Sequence, residues 1–185
     1  KHLDLLGIIV LGVTTAVGGG MIRDLIIGIH PPTLFVKPVY VWIAFLSVFL
    51  LFIIVRFCRI TIEVLESDLY ERVMNLLDAI GLGAFTVVGI DTAIEAGFGD
   101  YRFLMIFLGT ITGVGGGILR DIMAGQTPAV LKKHVYACAS IAGAVCYVSL
   151  LNLLDNDLSM IVSALLVVII RILARKYRWN LPTAM

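Results

Sequence analysis

Two stretches of this sequence place charged and helix-weakening residues inside apolar surroundings. Residues 12–28 read GVTTAVGGGMIRDLIIG and residues 109–125 read GTITGVGGGILRDIMAG. Each has three consecutive glycines, Gly18, Gly19, Gly20 and Gly115, Gly116, Gly117, followed by an Arg-Asp pair, Arg23–Asp24 and Arg120–Asp121, in register 97 positions apart. Ionisable side chains in an apolar span are expensive, so they face a bundle interior or water and find partners. They would either line an ion path or lock helices together as a salt bridge. Neighbours on a helix point about 100° apart, so each Arg is expected to pair across the duplication or with another helix, Asp78 being the next candidate. Each interior glycine costs about 1 kcal/mol relative to alanine, and backbone groups freed by a break must be buried in protein or meet a water-filled cavity. Two compatible readings follow. One is close packing through small residues at spacing four, Gly12, Ala16, Gly20 and Gly109, Gly113, Gly117. The other is a kink beside a conduit. The hydroxyls of Thr15 and Thr112, with Thr14 and Thr110, would line a narrow pore or bond back to their own helix.

No catalytic constellation is visible. There is no zinc-ligand pair on one helix face and no nucleophile–base arrangement. The glycine motif also lacks the Lys-Ser/Thr of a phosphate loop. Cys58, Cys138 and Cys146 lack metal-site spacing and read as small hydrophobes. The net charge is +1 with no basic tract, which gives no support for nucleic-acid binding. No cofactor or metal is expected.

The elements that must position the motifs are membrane helices. The chain is 60% hydrophobic and 15% charged, with a mean hydropathy of +1.04, against about 45–50% and 25% in soluble domains. Apolar runs near 20 residues cross about 30 Å of hydrocarbon. Expected spans cover residues 4–28, 39–55, 76–96, 103–125, 135–151 and 159–174. The polar connector 56–75 is expected to be partly an interfacial helix. Tyr177 and Trp179 are expected interfacial anchors. The duplication extends into the loops, where PTLFVKPVY from Pro32 matches PAVLKKHVY from Pro128. The span 76–96 has no counterpart in the first copy, so the intact protein is expected to carry one further helix of about 20 residues before Lys1.

The expected organisation is a first repeat at 1–57, a connector at 58–75, a second repeat at 76–151, and a terminal helix with its tail at 152–185. A three-span repeat reverses direction, so the copies are inverted across the membrane, a recurrent way to build a path at the midplane. Nine basic residues (Lys1, Arg56, Arg59, Arg72, Lys132, Lys133, Arg175, Lys176, Arg178) fall on one side and two, Lys37 and Arg102, on the other. The positive-inside bias then makes the C-terminus cytoplasmic. Lys132 and Lys133 read as topology determinants, or as contacts to lipid headgroups or a gate.

The paired GGGxxRD segments, with HPP after the first and QTP…VLKKHVYA after the second, resemble the prokaryotic TRIC-type (trimeric intracellular cation) channel family. That family is also catalogued as an uncharacterised or "glycine transporter" membrane family. LLDAIGLGAFTVVG and the terminal WNLP fit as well. The resemblance implies an all-α fold of two inverted three-helix repeats plus a seventh helix. It further implies a homotrimer in a bacterial or archaeal plasma membrane, with one monovalent-cation pore per subunit, permeable to K⁺ and flanked by the helices carrying Gly18–Gly20 and Gly115–Gly117. A carrier for glycine or another small amino acid is the alternative.

Overall fold

Small residues such as Gly19, Gly116, Ala139 and Ser140 sit buried where the helices meet, among a few large apolar side chains, while many other large apolar side chains point outward, as expected of helices packed in lipid. The computed structural model describes residues 4–57, 68–132 and 135–179. Among them the structure is all-helical with no strand. Helix α1 spans Leu5–Ile26, α2 Thr33–Val36, α3 Val39–Phe57, α4 Asp68–Ala93, α5 Arg102–Met123, α6 Ala129–Lys132, α7 Tyr136–Leu150 and α8 Asn156–Lys176. Helix α4 runs on into a π-helical turn, Ile94–Phe98, that bends at Gly97 (φ 87°).

Helices α1, α4 with its π turn, α5 and α8 are long and apolar enough to cross a membrane, while α3 and α7 contribute shorter apolar stretches, Val39–Ile54 and Tyr136–Leu150. Residues 68–75, expected in the connector, instead begin α4, with Asp68 and Glu71 in its first turn, where carboxylates favour the positive end of the helix dipole. Residues 58–67 of that connector, Lys1, Arg59 and Lys133 lie outside the described residues. Sequence reading missed α2 and α6. They occupy matching places in the two copies, and four residues carry too little periodicity to be read.

Helix α5 is the hub, packing on α1, α4 and α7, while α8 closes the bundle against α4 and α7 and α3 rests on α1. The core holds Val87, Ile90, Met105, Leu108, Tyr147 and Val148 at one end and Leu82, Val114, Ala139 and Val167 at the other. Outside, Trp42, Ile43, Leu46 and Leu50 of α3 are exposed.

Besides the Arg175–Glu71 pair between α4 and α8, polar ties among the described residues hold α4, α7 and α8 together. At one end the Tyr136 hydroxyl donates to Asp78 Oδ1 at 3.1 Å, and Arg171 Nη2 pairs with Asp78 Oδ2 at 3.0 Å. The Arg171 guanidinium also lies 4.6 Å from the Tyr136 ring centre. At the other end Tyr147 donates to Asn156 Oδ1 at 2.8 Å, and Asn156 Nδ2 donates to Asp91 Oδ1 at 2.9 Å. Between them the buried Thr86 and Ser140 hydroxyls bond at 2.7 Å. Asp78 therefore serves Arg171 and Tyr136, not the Arg of either repeated motif.

The Arg171 side chain is 9% exposed. Removing one partner of a buried pair costs about 3–5 kcal/mol, whereas replacing both by apolar groups is close to neutral. The Asp78 side chain is 36% exposed, so solvent screens part of the pair, and Asp78→Ala is expected to destabilise the folded protein in detergent by less than that. The double variant Asp78→Ala/Arg171→Met is expected to regain most of the loss, as read by chemical unfolding.

Candidate functional site

Helices α1 and α5 run antiparallel and cross at the two glycine triplets. A Cβ built on Gly19 would overlap the carbonyl oxygen of Thr112, and one built on Gly116 would overlap that of Thr15. Gly18 would bring a Cβ to 3.5 Å from the Cα of Gly116, and Gly115 to 3.2 Å from that of Gly19. The first two glycines of each triplet are buried at this crossing. The third of each is half-buried and has space. A Cβ on Gly20 would come no nearer than 3.6 Å to Arg23 Nη2, and one on Gly117 no nearer than 3.8 Å to Arg120 Nη2.

Each helix continues through its triplet without interruption. No backbone carbonyls are freed by a break at either triplet. The glycines let two continuous backbones touch, and the helical hydrogen bonds survive because no residue is inserted and no proline intervenes. The hydroxyls of Thr15, Thr110 and Thr112 bond back to Leu11, Ile106 and Leu108 carbonyls at 2.7, 2.8 and 2.6 Å. Their donors are thus committed to the helix, while their oxygens keep acceptor capacity.

Within each motif, Arg and Asp pair with each other, contrary to the expectation from the 100° offset. Arg23 Nε and Nη2 donate to Asp24 Oδ1 at 2.9 and 2.7 Å. Arg120 Nε donates to Asp121 Oδ1 at 2.9 Å, and its Nη2 lies 2.9 Å from the same oxygen. The arginine side chain is long enough to arc across that angle.

The second carboxylate oxygen explains why the pair is there. Asp24 Oδ2 accepts the Thr33 amide at 2.7 Å, and Asp121 Oδ2 accepts the Ala129 amide at 2.7 Å. These amides open α2 and α6. A helix start leaves its first N–H groups without partners. The residues just before, Pro32 and Pro128, offer no side-chain acceptor, so the aspartate of the preceding long helix supplies one from a distance. Gly28 (φ 74°) and Gly125 (φ 61°) turn the chain between them, with Ile29 N donating to Asp24 O at 2.9 Å and Gln126 N to Asp121 O at 2.8 Å. Only glycine adopts such φ values freely.

The two copies differ in burial. The Arg23 and Asp24 side chains are 8% and 1% exposed, those of Arg120 and Asp121 40% and 10%. Lys132 ends α6, and Lys133 falls outside the described residues. The structure thus brings Gly18, Gly19, Gly115, Gly116, Thr15 and Thr112 to one crossing. It places each Arg-Asp pair in the last turn of its helix, hence at opposite ends of the antiparallel α1–α5 pair, and Asp78 in a separate tie. Sequence reading missed Arg171, Tyr136, Tyr147, Asp91 and Asn156. The available signal was two aspartates on α4 and two tyrosines on α7, each pair spaced to reach both ends of the bundle.

The family model described as "Glycine transporter" matches residues 1–56 and 75–152. The UPF0126 membrane protein YvgT of Bacillus subtilis (strain 168) is 35% identical over 98% of this chain and 84% of its own length. The UPF0126 inner membrane protein YadS of Escherichia coli (strain K12) is 34% identical, again over 98% and 84%. Among solved structures, one addressing the structural basis for conductance through TRIC cation channels superposes with a TM-score of 0.85 at 36% identity, covering 99% of this chain and 85% of its own. A prokaryotic TRIC channel in 0.5 M KCl gives 0.82 at 30% identity, over 97% and 86%. With four spanning-length helices among the described residues, these relatives mark a multi-pass membrane protein.

Two outcomes follow from the geometry. Gly19→Ala and Gly116→Ala force backbone against Cβ and are expected to destabilise by about 2 kcal/mol or more. Gly20→Ala and Gly117→Ala have room and are expected to be neutral or to gain up to about 1 kcal/mol of helix propensity. Asp24→Asn leaves a buried arginine without its carboxylate and is expected to lose about 3–5 kcal/mol, Asp121→Asn distinctly less. Melting of the purified variants in detergent reads both comparisons.

Proposed function

The chain belongs to the TRIC-type channel family, and on that premise we propose that it is a K⁺-permeable monovalent-cation channel. In this reading it assembles as a homotrimer in a bacterial or archaeal plasma membrane, with one pore per subunit beside the α1–α5 crossing. The observation that carries the reading is the likeness, over 99% of this chain, to a TRIC cation channel solved to explain conductance.

The local chemistry is compatible with cation passage. Both motif arginines are neutralised by the adjacent aspartate, so they present no bare positive charge to repel a cation. Because the backbone carbonyls stay in helical hydrogen bonds, an ion would be solvated by water, by threonine oxygens and by the aspartate rims, not by a ring of freed carbonyls. In this reading the third glycines, Gly20 and Gly117, lie on the two approaches to the crossing, each beside the arginine of its own motif.

Orientation follows from the basic residues. Arg56, Arg72, Lys132, Arg175, Lys176 and Arg178 lie at one end of the helices, Lys37 and Arg102 at the other. The positive-inside rule places the first end, with Asp121 and the C-terminus, in the cytoplasm and Asp24 outside.

The description of the matching family model favours a second reading, a carrier for glycine or another small amino acid. One preparation separates the two. Reconstituted in planar bilayers under a tenfold KCl gradient, a cation channel gives unitary steps reversing toward about 59 mV on the K⁺ side. A carrier gives no unitary steps and concentrates labelled glycine saturably in proteoliposomes.

A further inference from the structure

At the end of the bundle that carries most of the basic residues, a cleft of about 900 Å³ opens between the start of α4 and the end of α8. Five cationic side chains line it: Arg72, Arg171, Arg175, Lys176 and Arg178. Two carboxylates, Asp68 and Glu71, stand against them. Glu71 is already engaged, since Arg175 Nη2 pairs with its Oε2 at 3.2 Å and Arg175 Nη1 donates to its carbonyl at 2.8 Å. Asp68 sits in the first turn of α4, where the helix dipole favours a negative charge. Among the described residues, Arg72, Lys176 and Arg178 form no ion pair with a carboxylate.

Two further features single this cleft out from an ordinary solvated basic face. Arg171, at its inner wall, is buried to 9% side-chain exposure, yet its Nε has no hydrogen-bond partner. A buried guanidinium N–H without a partner is a destabilising group, and it belongs to the same side chain that lines the inner wall of the cleft. Arg178 adopts φ 50°, a left-handed conformation, at the turn where Trp179 N reaches back to Ala174 O at 2.9 Å. Glycine is the residue this closing turn ordinarily takes. An arginine there carries conformational strain while adding a fifth cation to the cleft.

We propose that the α4–α8 cleft is a binding site for a phosphate group, presented by an anionic lipid headgroup or by a soluble polyphosphate. Guanidinium forks bind phosphate oxygens in pairs, and ammonium groups add point charge. An occupant would rest on Arg171, which also holds Asp78 and stacks on Tyr136. Tyr136 in turn shares a small cavity with Gly117, Arg120 and Asp121 of α5. The site is separate from the α1–α5 crossing, and its binding is measured without any current, so its failure leaves the channel reading untouched.

The test uses the purified full chain in neutral detergent at constant ionic strength. Pyrophosphate serves as the soluble probe, read by melting temperature. Phosphatidic acid against phosphatidylcholine serves as the lipid probe, read by native mass spectrometry. A saturable response to either is expected, and which one responds identifies the source of the phosphate. Arg178→Gly, which relieves the strained turn and so preserves folding, and Arg72→Gln/Lys176→Gln are each expected to weaken the response about tenfold or more. Lys37→Gln, at the opposite end, is expected to leave it unchanged. Absence of a saturable response to both probes, or an undiminished response in Arg178→Gly and in the double variant, overturns the proposal.

Discussion

The contact of Gly19 with the Thr112 carbonyl, mirrored by Gly116 with the Thr15 carbonyl, governs the rest of the structure. Lipid provides no hydrophobic drive for helices to associate, so association depends on close packing and on polar pairing. Here two backbones meet with nothing between them. The contact is equivalent in both directions because the copies are inverted, and it fixes α1 against α5 at the centre of the fold. Helices α4 and α7 then pack on the other faces of α5, and α3 rests on α1.

The Arg-Asp pairs extend the same symmetry toward the two faces of the membrane. Each aspartate closes the end of its long helix to the start of the short helix that follows, and each arginine neutralises that aspartate. A carboxylate with two donors on one side and a backbone amide on the other keeps both oxygens engaged, which is what makes it tolerable at low dielectric. The glycine motif is therefore one mechanical unit: a crossing, a turn and a cap. The difference between the copies lies in exposure, with the α1 latch sealed and the α5 latch partly open. In the proposed orientation the open latch faces the cytoplasm and neighbours the Tyr136–Arg171–Asp78 tie.

Much of this was legible in the sequence. Hydropathy and the length of the apolar runs located the six principal helices, and the repeat of GGGxxRD in register identified the duplication and its inversion. The small residues at spacing four signalled close packing but not this crossing: Gly12 faces Val48 of α3, Gly109 and Gly113 face Thr86 of α4, and the crossing itself is made by Gly18, Gly19, Gly115 and Gly116. Other features were not legible. Whether three glycines break a helix depends on what presses against them, and the opposing Thr15 and Thr112 backbones come from the other copy. The pairing of Arg23 with Asp24 turned on side-chain reach, which a helical wheel ignores. The Asp24–Thr33 and Asp121–Ala129 caps span a loop, so no local pattern announces them. Asp78 and Arg171 lie 93 positions apart, beyond any periodicity.

In the proposed channel, ions pass within the subunit along the approaches to the α1–α5 crossing. The most direct measurement is block by a small thiol-reactive cation of Gly20→Cys and Gly117→Cys channels in bilayers, in a background lacking Cys58, Cys138 and Cys146. Loss of current is expected in both, with Gly20→Cys blocked from the outer face and Gly117→Cys from the cytoplasmic face. Complete labelling of both cysteines with currents unchanged would contradict it.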